Sequence, residues 1–266
     1  MEKHFDKKRN NNRPREEKKP SSASYVIGRN AVSELLKSGR DVDKLYVKKG
    51  ERTGSITVIV SEAIKRNIPV VEVESNKLDF MSGGQMHQGV IASASLKDYV
   101  SVDEILKAAS DKGEKPLIII ADGVEDPQNL GALLRVAECS GAHGVIIPKR
   151  RAVGLTEAVG RASAGAVEHV PVAKVTNLAQ TVDELKEKGL WIYAAEAGGQ
   201  AHYETDMTGA AAIILGSEGF GVSRLLKDKS DFIISIPMYG MINSLNVSSA
   251  GAVILCEAAR QRNASK

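Results

Sequence analysis

Phe232-Ile-Ile-Ser-Ile-Pro-Met-Tyr-Gly-Met-Ile-Asn-Ser-Leu-Asn-Val-Ser-Ser-Ala-Gly-Ala-Val-Ile-Leu255, close to the C-terminus, is the stretch on which the fold turns. It opens as a short apolar run rich in β-branched residues, the pattern of a buried strand, and Pro237 then removes a ladder donor and ends that strand. After Gly240 a polar cluster, Asn243, Ser244, Asn246, Ser248 and Ser249, runs directly into the small-residue helix pattern Ala250-Gly-Ala-Val-Ile-Leu-Cys-Glu-Ala-Ala-Arg260. Small and hydroxyl side chains at such a strand-to-helix turn leave backbone N–H and C=O groups within reach of a ligand. The same residues are preferred helix caps, so on its own the stretch fits a ligand loop and a plain capped helix equally well.

Outward from this stretch, the second half of the chain alternates between the two periods. Leu117-Ile-Ile-Ile-Ala121 is continuously apolar, as a strand buried on both faces of a parallel sheet must be. Further strands are expected at 145–147, 169–172, 191–195, 212–215 and 232–236. Helices are expected at 130–140, 156–164, 178–188, 222–227 and 247–262. The alternation predicts an α/β fold with an open, mostly parallel sheet and ligands at the carboxyl ends of its strands.

Polar strings fall at those ends: Asp122-Gly-Val-Glu-Asp-Pro-Gln-Asn-Leu-Gly-Ala-Leu-Leu-Arg135, Leu215-Gly-Ser-Glu-Gly-Phe-Gly221, and the C-terminal stretch itself. Three such strings at equivalent positions are not easily chance. Gly216, Gly219 and Gly221 are spaced G-x-x-G-x-G, so the G-x-G-x-x-G of dinucleotide sites is absent, as is G-x-x-x-x-G-K-[ST]; ordinary dinucleotide and triphosphate sites are disfavoured. Glu218, a carboxylate flanked by glycines at a strand end, has no packing function to explain it. Arg135 lies six residues after Asn129, a spacing that aims it only roughly back at the mouth of its helix.

Composition bounds the rest. With 266 residues and 42% apolar content the chain can build one or two cores. No apolar run approaches the roughly 18 residues of a membrane span, and the N-terminus is polar, so a cytoplasmic chain without membrane contact is expected. Cys139 and Cys256 have no metal-type spacing and sit in apolar helical patterns; buried reduced thiols are expected, and no metal site. The net charge of +3 is uneven: residues 1–24 carry eight Lys/Arg against four Asp/Glu, leaving the body at −1. This nearly apolar-free arm cannot fold alone, and it is either a polyanion-binding arm, with RNA or DNA as the partner, or a solubilising tail.

Residues 25–95 read as a small α/β module. A short helix around Val32, Leu35 and Leu36 ends at Gly39, a strand covers 45–47, a helix 58–64, a strand 70–73, and a last strand follows Gly83-Gly84 from Val90. It has no acid/base pair, metal cluster or phosphate loop, so it reads as a binding platform; His87 of Met86-His-Gln-Gly-Val90 reads as a turn residue. Residues 96–116 read as a connector with one helix at 102–109, and the second domain as 117–266.

Asn129-x-Gly131-x-x-x-Arg135, Leu215-Gly-Ser-Glu-Gly-Phe-Gly221 and Ile236-Pro-Met-x-Gly-x-x-x-Ser244-Leu-Asn-Val-Ser248 resemble, in order and spacing, the three motifs of the SpoU (TrmH-type) RNA ribose 2′-O-methyltransferases of the SPOUT superfamily. The resemblance covers about residues 117–262. The preceding module is similar to the L30e-like substrate-binding domain of that family, a layout similar to that of 23S rRNA guanosine 2′-O-methyltransferases. The resemblance implies a C-terminal α/β trefoil-knot domain and a homodimer. It also implies S-adenosylmethionine as methyl donor, held by main-chain groups around Leu215, Gly216, Gly219, Ile236, Pro237, Met238 and Leu245; Ile236 and Leu245 are equally suited to core packing.

For catalysis the resemblance assigns Arg135 to the ribose 2′-hydroxyl, with Asn129, Glu218, Ser244 and Asn246 arranging the site. Arginine as a base is physically awkward, because a guanidinium holds its proton far above neutral pH and a neutral guanidine at pH 7 costs roughly 9 kcal/mol. A clamp on the developing alkoxide, with proton loss to phosphate or water, is the better expectation. A transfer RNA substrate is the alternative within the enzyme reading. A non-catalytic RNA-binding protein would have no need of Asn129, Arg135, Glu218 and Asn246 together, and a Rossmann enzyme would need a glycine fingerprint after its first strand.

Overall fold

Residues 25–50 and 54–264 are described by the structure, a computed structural model of the chain; the basic arm of residues 1–24 lies outside them. The first sheet contains β1 (Tyr25–Ile27), β2 (Val42–Lys48), β3 (Val70–Val73) and β4 (Val90–Ala94) in the order β1-β4-β2-β3. β4 runs antiparallel to β1 and β2, while β2 and β3 are parallel. Helices α1 (Arg29–Lys37) and α2 (Ser55–Lys65) cover it, burying Val32, Leu35 and Leu36 from one and Ile59, Val60 and Ala63 from the other.

β1 and the helix α3 (Ser75–Ser82) are additions to the sequence expectation. Ser-Asn-Lys-Leu-Asp-Phe-Met-Ser shows no apolar stripe, yet Leu78 and Met81 are buried, and Gly83, in the left-handed region at φ 61°, ends the helix.

The larger sheet has six strands: β5 (Leu117–Asp122), β6 (Gly144–Pro148), β7 (Val172–Val175), β8 (Trp191–Ala201), β9 (Ala211–Gly216) and β10 (Phe232–Ser235). Their order is β10-β8-β9-β5-β6-β7 and every neighbouring pair is parallel. The apolar run of β5 alternates between two cores. Leu117, Ile119 and Ala121 face α5 (Pro127–Cys139), α6 (Glu157–Ala162) and α9 (Val247–Ala264); Ile118 and Ile120 face α4 (Val102–Asp111), α7 (Leu178–Glu187) and α8 (Arg224–Lys229). Each large side chain of this run contributes about 1.5–3 kcal/mol by leaving water, which is why the strand is apolar throughout.

Several boundaries move for identifiable reasons. The strand expected at 169–172 lies at Val172–Val175, because Pro171 has no N–H to pair and serves only as acceptor from Val145 N, at 3.0 Å. β8 continues six residues past Ala195, through Glu196 and two glycines, along β10. α5 begins at Pro127, in the first helical turn, with Asp126 accepting from Gln128 N at 2.9 Å as its cap. Cys139 and Cys256 are exposed, not buried, because each lies on the helix face turned away from Leu133, Ala137, Leu255 and Ala258.

The segment 96–116 packs with the larger domain: Val100 bridges to Ala173, and Ile105 of α4 is fully buried in the second core. No helix among the described residues is long and apolar enough to cross a membrane.

Candidate active site

The C-terminal half of β8, the loops leaving β9 and β10, and the first turns of α9 enclose a cavity of about 870 Å³ toward the carboxyl ends of the strands. Of the twelve residues singled out from the sequence, ten line it: Leu215, Gly216, Glu218, Gly219, Ile236, Pro237, Met238, Ser244, Leu245 and Asn246. Leu215 turns its side chain into the core, at 1% exposure, and so offers a ligand only its main chain. Asn129 lies behind the wall and Arg135 is not part of it.

The turn after β9 is built by close approach. Ser217 and Gly221 form an antiparallel bridge, with Gly221 N donating to Ser217 O at 3.0 Å and Gly219 at φ 87°. A Cβ on Gly216 would stand 2.0 Å from the Gly221 carbonyl carbon and 2.2 Å from Val222 N. Glycine there is a requirement of the turn itself, so a larger residue at 216 would rebuild the loop instead of merely obstructing a ligand. The turn is tied down from both sides: Ser223 N donates to Asp122 Oδ2 at 2.8 Å, and Val222 N to Glu196 Oε2 at 3.0 Å.

Asn129, Glu218 and Asn246, one from each of the three strings, meet in a single hydrogen-bonded junction. Asn129 Nδ2 donates to Glu218 Oε1 at 3.1 Å, and Asn246 Nδ2 donates both to Asn129 Oδ1 at 2.8 Å and to that same Glu218 oxygen. The other end of the Asn246 amide caps α9, its Oδ1 accepting from Ser248 N at 2.9 Å and Ser248 Oγ at 2.6 Å. The capped-helix reading of the C-terminal stretch thus holds at Asn246, and the same side chain ties that stretch to the junction beside the cavity. Gly131 of the first string is a packing residue, since a Cβ there would lie 2.4 Å from Ala162 Cβ in α6.

Arg135 is exposed on α5, away from this junction. Six residues turn an α-helix through about 600°, which leaves Arg135 roughly a third of a turn off the Asn129 face and about 9 Å further along the axis. Glu196 and Ala250 line the cavity too and were not anticipated. Ala195-Glu-Ala-Gly-Gly199 follows the apolar run expected to end at 195, which was the signal available for Glu196, although β8 itself continues to Ala201.

The lining contains two carboxylates, Glu196 and Glu218, and no Lys or Arg; Lys227, outside the lining, places its Nζ 3.6 Å from Glu196 Oε2. A phosphate-bearing ligand would find no countercharge here, whereas a ligand with a cationic centre and neutral adenine and ribose groups suits main-chain polar atoms and Ile, Leu and Met cover. S-adenosylmethionine has that chemistry, so the residues present fit it.

Comparison with known proteins agrees with this geometry. Residues 116–256 match the model of the SpoU rRNA Methylase family, and residues 25–100 match that for RNA 2′-O ribose methyltransferase substrate binding. YacO of Bacillus subtilis (strain 168), assigned by name to the TrmH family of tRNA/rRNA methyltransferases, is 46% identical over 240 residues, 90% of this chain and 96% of its own length. Among solved structures, the SpoU methyltransferase AviRb from Streptomyces viridochromogenes in complex with AdoMet shares the fold, with TM-score 0.58 at 23% identity over 90% of each chain. The TrmH/SpoU tRNA modifying enzyme of A. aeolicus is 32% identical over 57% of this chain and 78% of its own, with TM-score 0.52. With an N-terminal substrate-binding domain, a SPOUT-type catalytic domain and a cavity suited to the donor, the chain belongs to the SpoU (TrmH) family of S-adenosylmethionine-dependent RNA ribose 2′-O-methyltransferases.

Proposed function

We propose that the chain methylates the ribose 2′-hydroxyl of a guanosine in 23S rRNA, in the cytoplasm and as a homodimer. The observation that carries the catalytic part is the junction of Asn129, Glu218 and Asn246 at the edge of a cation-free cavity. In support of a ribosomal substrate, the matching family model is named for rRNA, and the A. aeolicus tRNA enzyme resembles this chain over little more than its catalytic half. The experiment is to map ribose methylation in RNA from a strain lacking the gene. A single missing 2′-O-methyl on a 23S guanosine is the expected result; a missing methyl in transfer RNA would move the assignment there.

Bound S-adenosylmethionine would supply the electrophilic methyl carbon. Main-chain groups of Leu215, Gly216, Gly219, Ile236, Pro237 and Met238, with Leu245 over them, hold the donor. Asn129, Glu218 and Asn246 keep one another oriented, and with Ser244 they place the nucleotide. Arg135 clamps ribose and phosphate, stabilising the 2′-oxygen as its proton leaves to phosphate or water. Because Arg135 stands outside the cavity of its own chain, its partner site belongs to a second subunit. Phe220, Tyr239, Met241 and Ile242, at 92, 93, 103 and 77% exposure, leave beside the cavity an apolar surface of the kind a subunit interface covers.

Two expectations test the donor and RNA sites separately. Ala250→Leu, on the first turns of α9, fills cavity space without touching the turn at Gly216. Calorimetry should show at least a tenfold loss of S-adenosylmethionine affinity, about 1.4 kcal/mol, with little change in melting temperature. Deleting residues 1–24 removes a net charge of +4 and should weaken RNA binding. For single-stranded contacts, the slope of log K against log salt should flatten by up to about 3. An unchanged slope would make the arm a solubiliser.

A further inference from the structure

The edge strand β7 carries a charged cluster that methyl transfer does not use. Lys174 Nζ donates to Oδ1 of Asp43, in β2 of the smaller domain, at 2.5 Å, with the two side chains 10% and 3% exposed. The Tyr99 hydroxyl donates to the same oxygen and accepts from Leu155 N at 2.9 Å, and Lys174 Nζ lies 4.8 Å from the centre of the Tyr99 ring. Tyr99 N donates to Asp41 Oδ2 at 2.9 Å. Gly154 presses against the carboxylate, where a Cβ would stand 2.1 Å from Asp43 Cγ. Among the described residues, Asp43 Oδ2 is the buried side-chain polar atom without a hydrogen-bond partner.

Such a cluster is poor glue. Removing two charges from water costs about as much as their attraction returns, and the unpartnered oxygen adds to the cost. Its strength is directional. β2 of the platform, β7 and the segment entering α4 converge on one carboxylate, so rotating one domain on the other breaks all of these bonds at once. The site of methyl transfer lies at the opposite part of the sheet: β7 is three strands from β9, roughly 14 Å at about 4.8 Å per strand. RNA held by the platform must bridge that gap, and a misplacement of about 1 Å at the reacting atoms already costs on the order of 10²-fold in rate.

We propose that Asp43, Lys174 and Gly154 form an interdomain lock that holds the RNA-binding platform at one angle to the methyl-transfer site, which makes Asp43 and Lys174 positioning residues for RNA methylation. The positioning role rests on the rRNA reading above; the lock itself does not.

The test uses full-length protein with Cys139→Ser and Cys256→Ser, spin-labelled at Val58→Cys on α2 and Leu225→Cys on α8, both exposed. With labelled subunits diluted into an excess of unlabelled ones, so that a homodimer carries one labelled subunit, pulsed electron paramagnetic resonance should give one narrow interdomain distance distribution for this parent and for Lys174→Arg, which keeps the pair. Lys174→Met and Gly154→Ala, the second retaining every charge, should broaden or displace it. Retained S-adenosylmethionine affinity, within about twofold, shows that the catalytic domain is folded. Distributions in both variants as narrow as the parent's, at the same distance, overturn the lock. On 23S rRNA from a strain lacking the gene, both variants should lose tenfold or more in kcat/KM, chiefly through KM; unchanged kinetics with altered distances overturn the positioning role. If the parent itself fails to methylate that rRNA, the substrate reading falls, while the distances still decide the lock.

Discussion

Glu218→Ala will slow single-turnover methylation by about 10²–10³-fold at saturating donor, the cost of losing one preorganised group from a catalytic site. Adding Asn129→Ala to it will cost little more. The reason lies in the junction: Asn129 Nδ2 and Asn246 Nδ2 share one Glu218 oxygen, so removing the carboxylate takes a shared acceptor from both amides and leaves Asn129 held only through its Oδ1 by Asn246, and the second substitution deletes a group already loosened. S-adenosylmethionine affinity should change less than the rate, because in the proposed arrangement main-chain groups of the neighbouring loops hold the donor and Glu196 still leaves a carboxylate in the lining. Glu218→Gln retains an acceptor oxygen for the two amides and should fall between wild type and alanine. Multiplicative losses in the double variant would show that the three residues act independently.

The junction also marks how far the sequence could be read. Periodicity locates a strand whose every side chain is buried, so β5 and β9 are legible almost to the residue. The polar strings are legible because a charge such as Glu218 at the end of an apolar strand has no packing explanation, whereas the donor-site residues Leu215, Ile236, Met238 and Leu245 and the role of Arg135 rest on the family resemblance. What periodicity cannot show is which loops close on one another. Glu196 escapes because the strand pattern of β8 weakens after Ala195, although hydrogen bonding with β10 carries the strand on to Ala201. Gly216 looks like a ligand-facing glycine until the backbone of Gly221 and Val222 is seen 2.0–2.2 Å from where its Cβ would be. Asp43 is one more surface-type charge in the sequence. Its burial depends on Lys174, 131 residues away, and no local pattern encodes that.

Arg135→Lys will reduce turnover on the order of 10²-fold while leaving donor affinity unchanged, because for the proposed clamp a lysine keeps the charge but not the planar fork that bidentate binding of ribose and phosphate would need. If Arg135 were only an exposed charge on α5, the change would cost at most about 1 kcal/mol of stability and nothing in rate. Its position adds a stronger demand. Arg135 is absent from the cavity that its own chain forms, so in the proposed homodimer its guanidinium would serve the site of the second subunit. Arg135→Ala and Glu218→Ala homodimers should each be nearly inactive, yet co-expression should restore activity. In a 1:1 mixture half of the dimers are mixed, and each mixed dimer holds one site with both residues intact, so about a quarter of wild-type activity is expected. If both residues served the site of their own chain, every site in the mixture would lack one of them and no activity would return. Methylation assays on the co-expressed dimer decide between the two arrangements, and failure of rescue with a normal dimer mass would return Arg135 to the surface of α5.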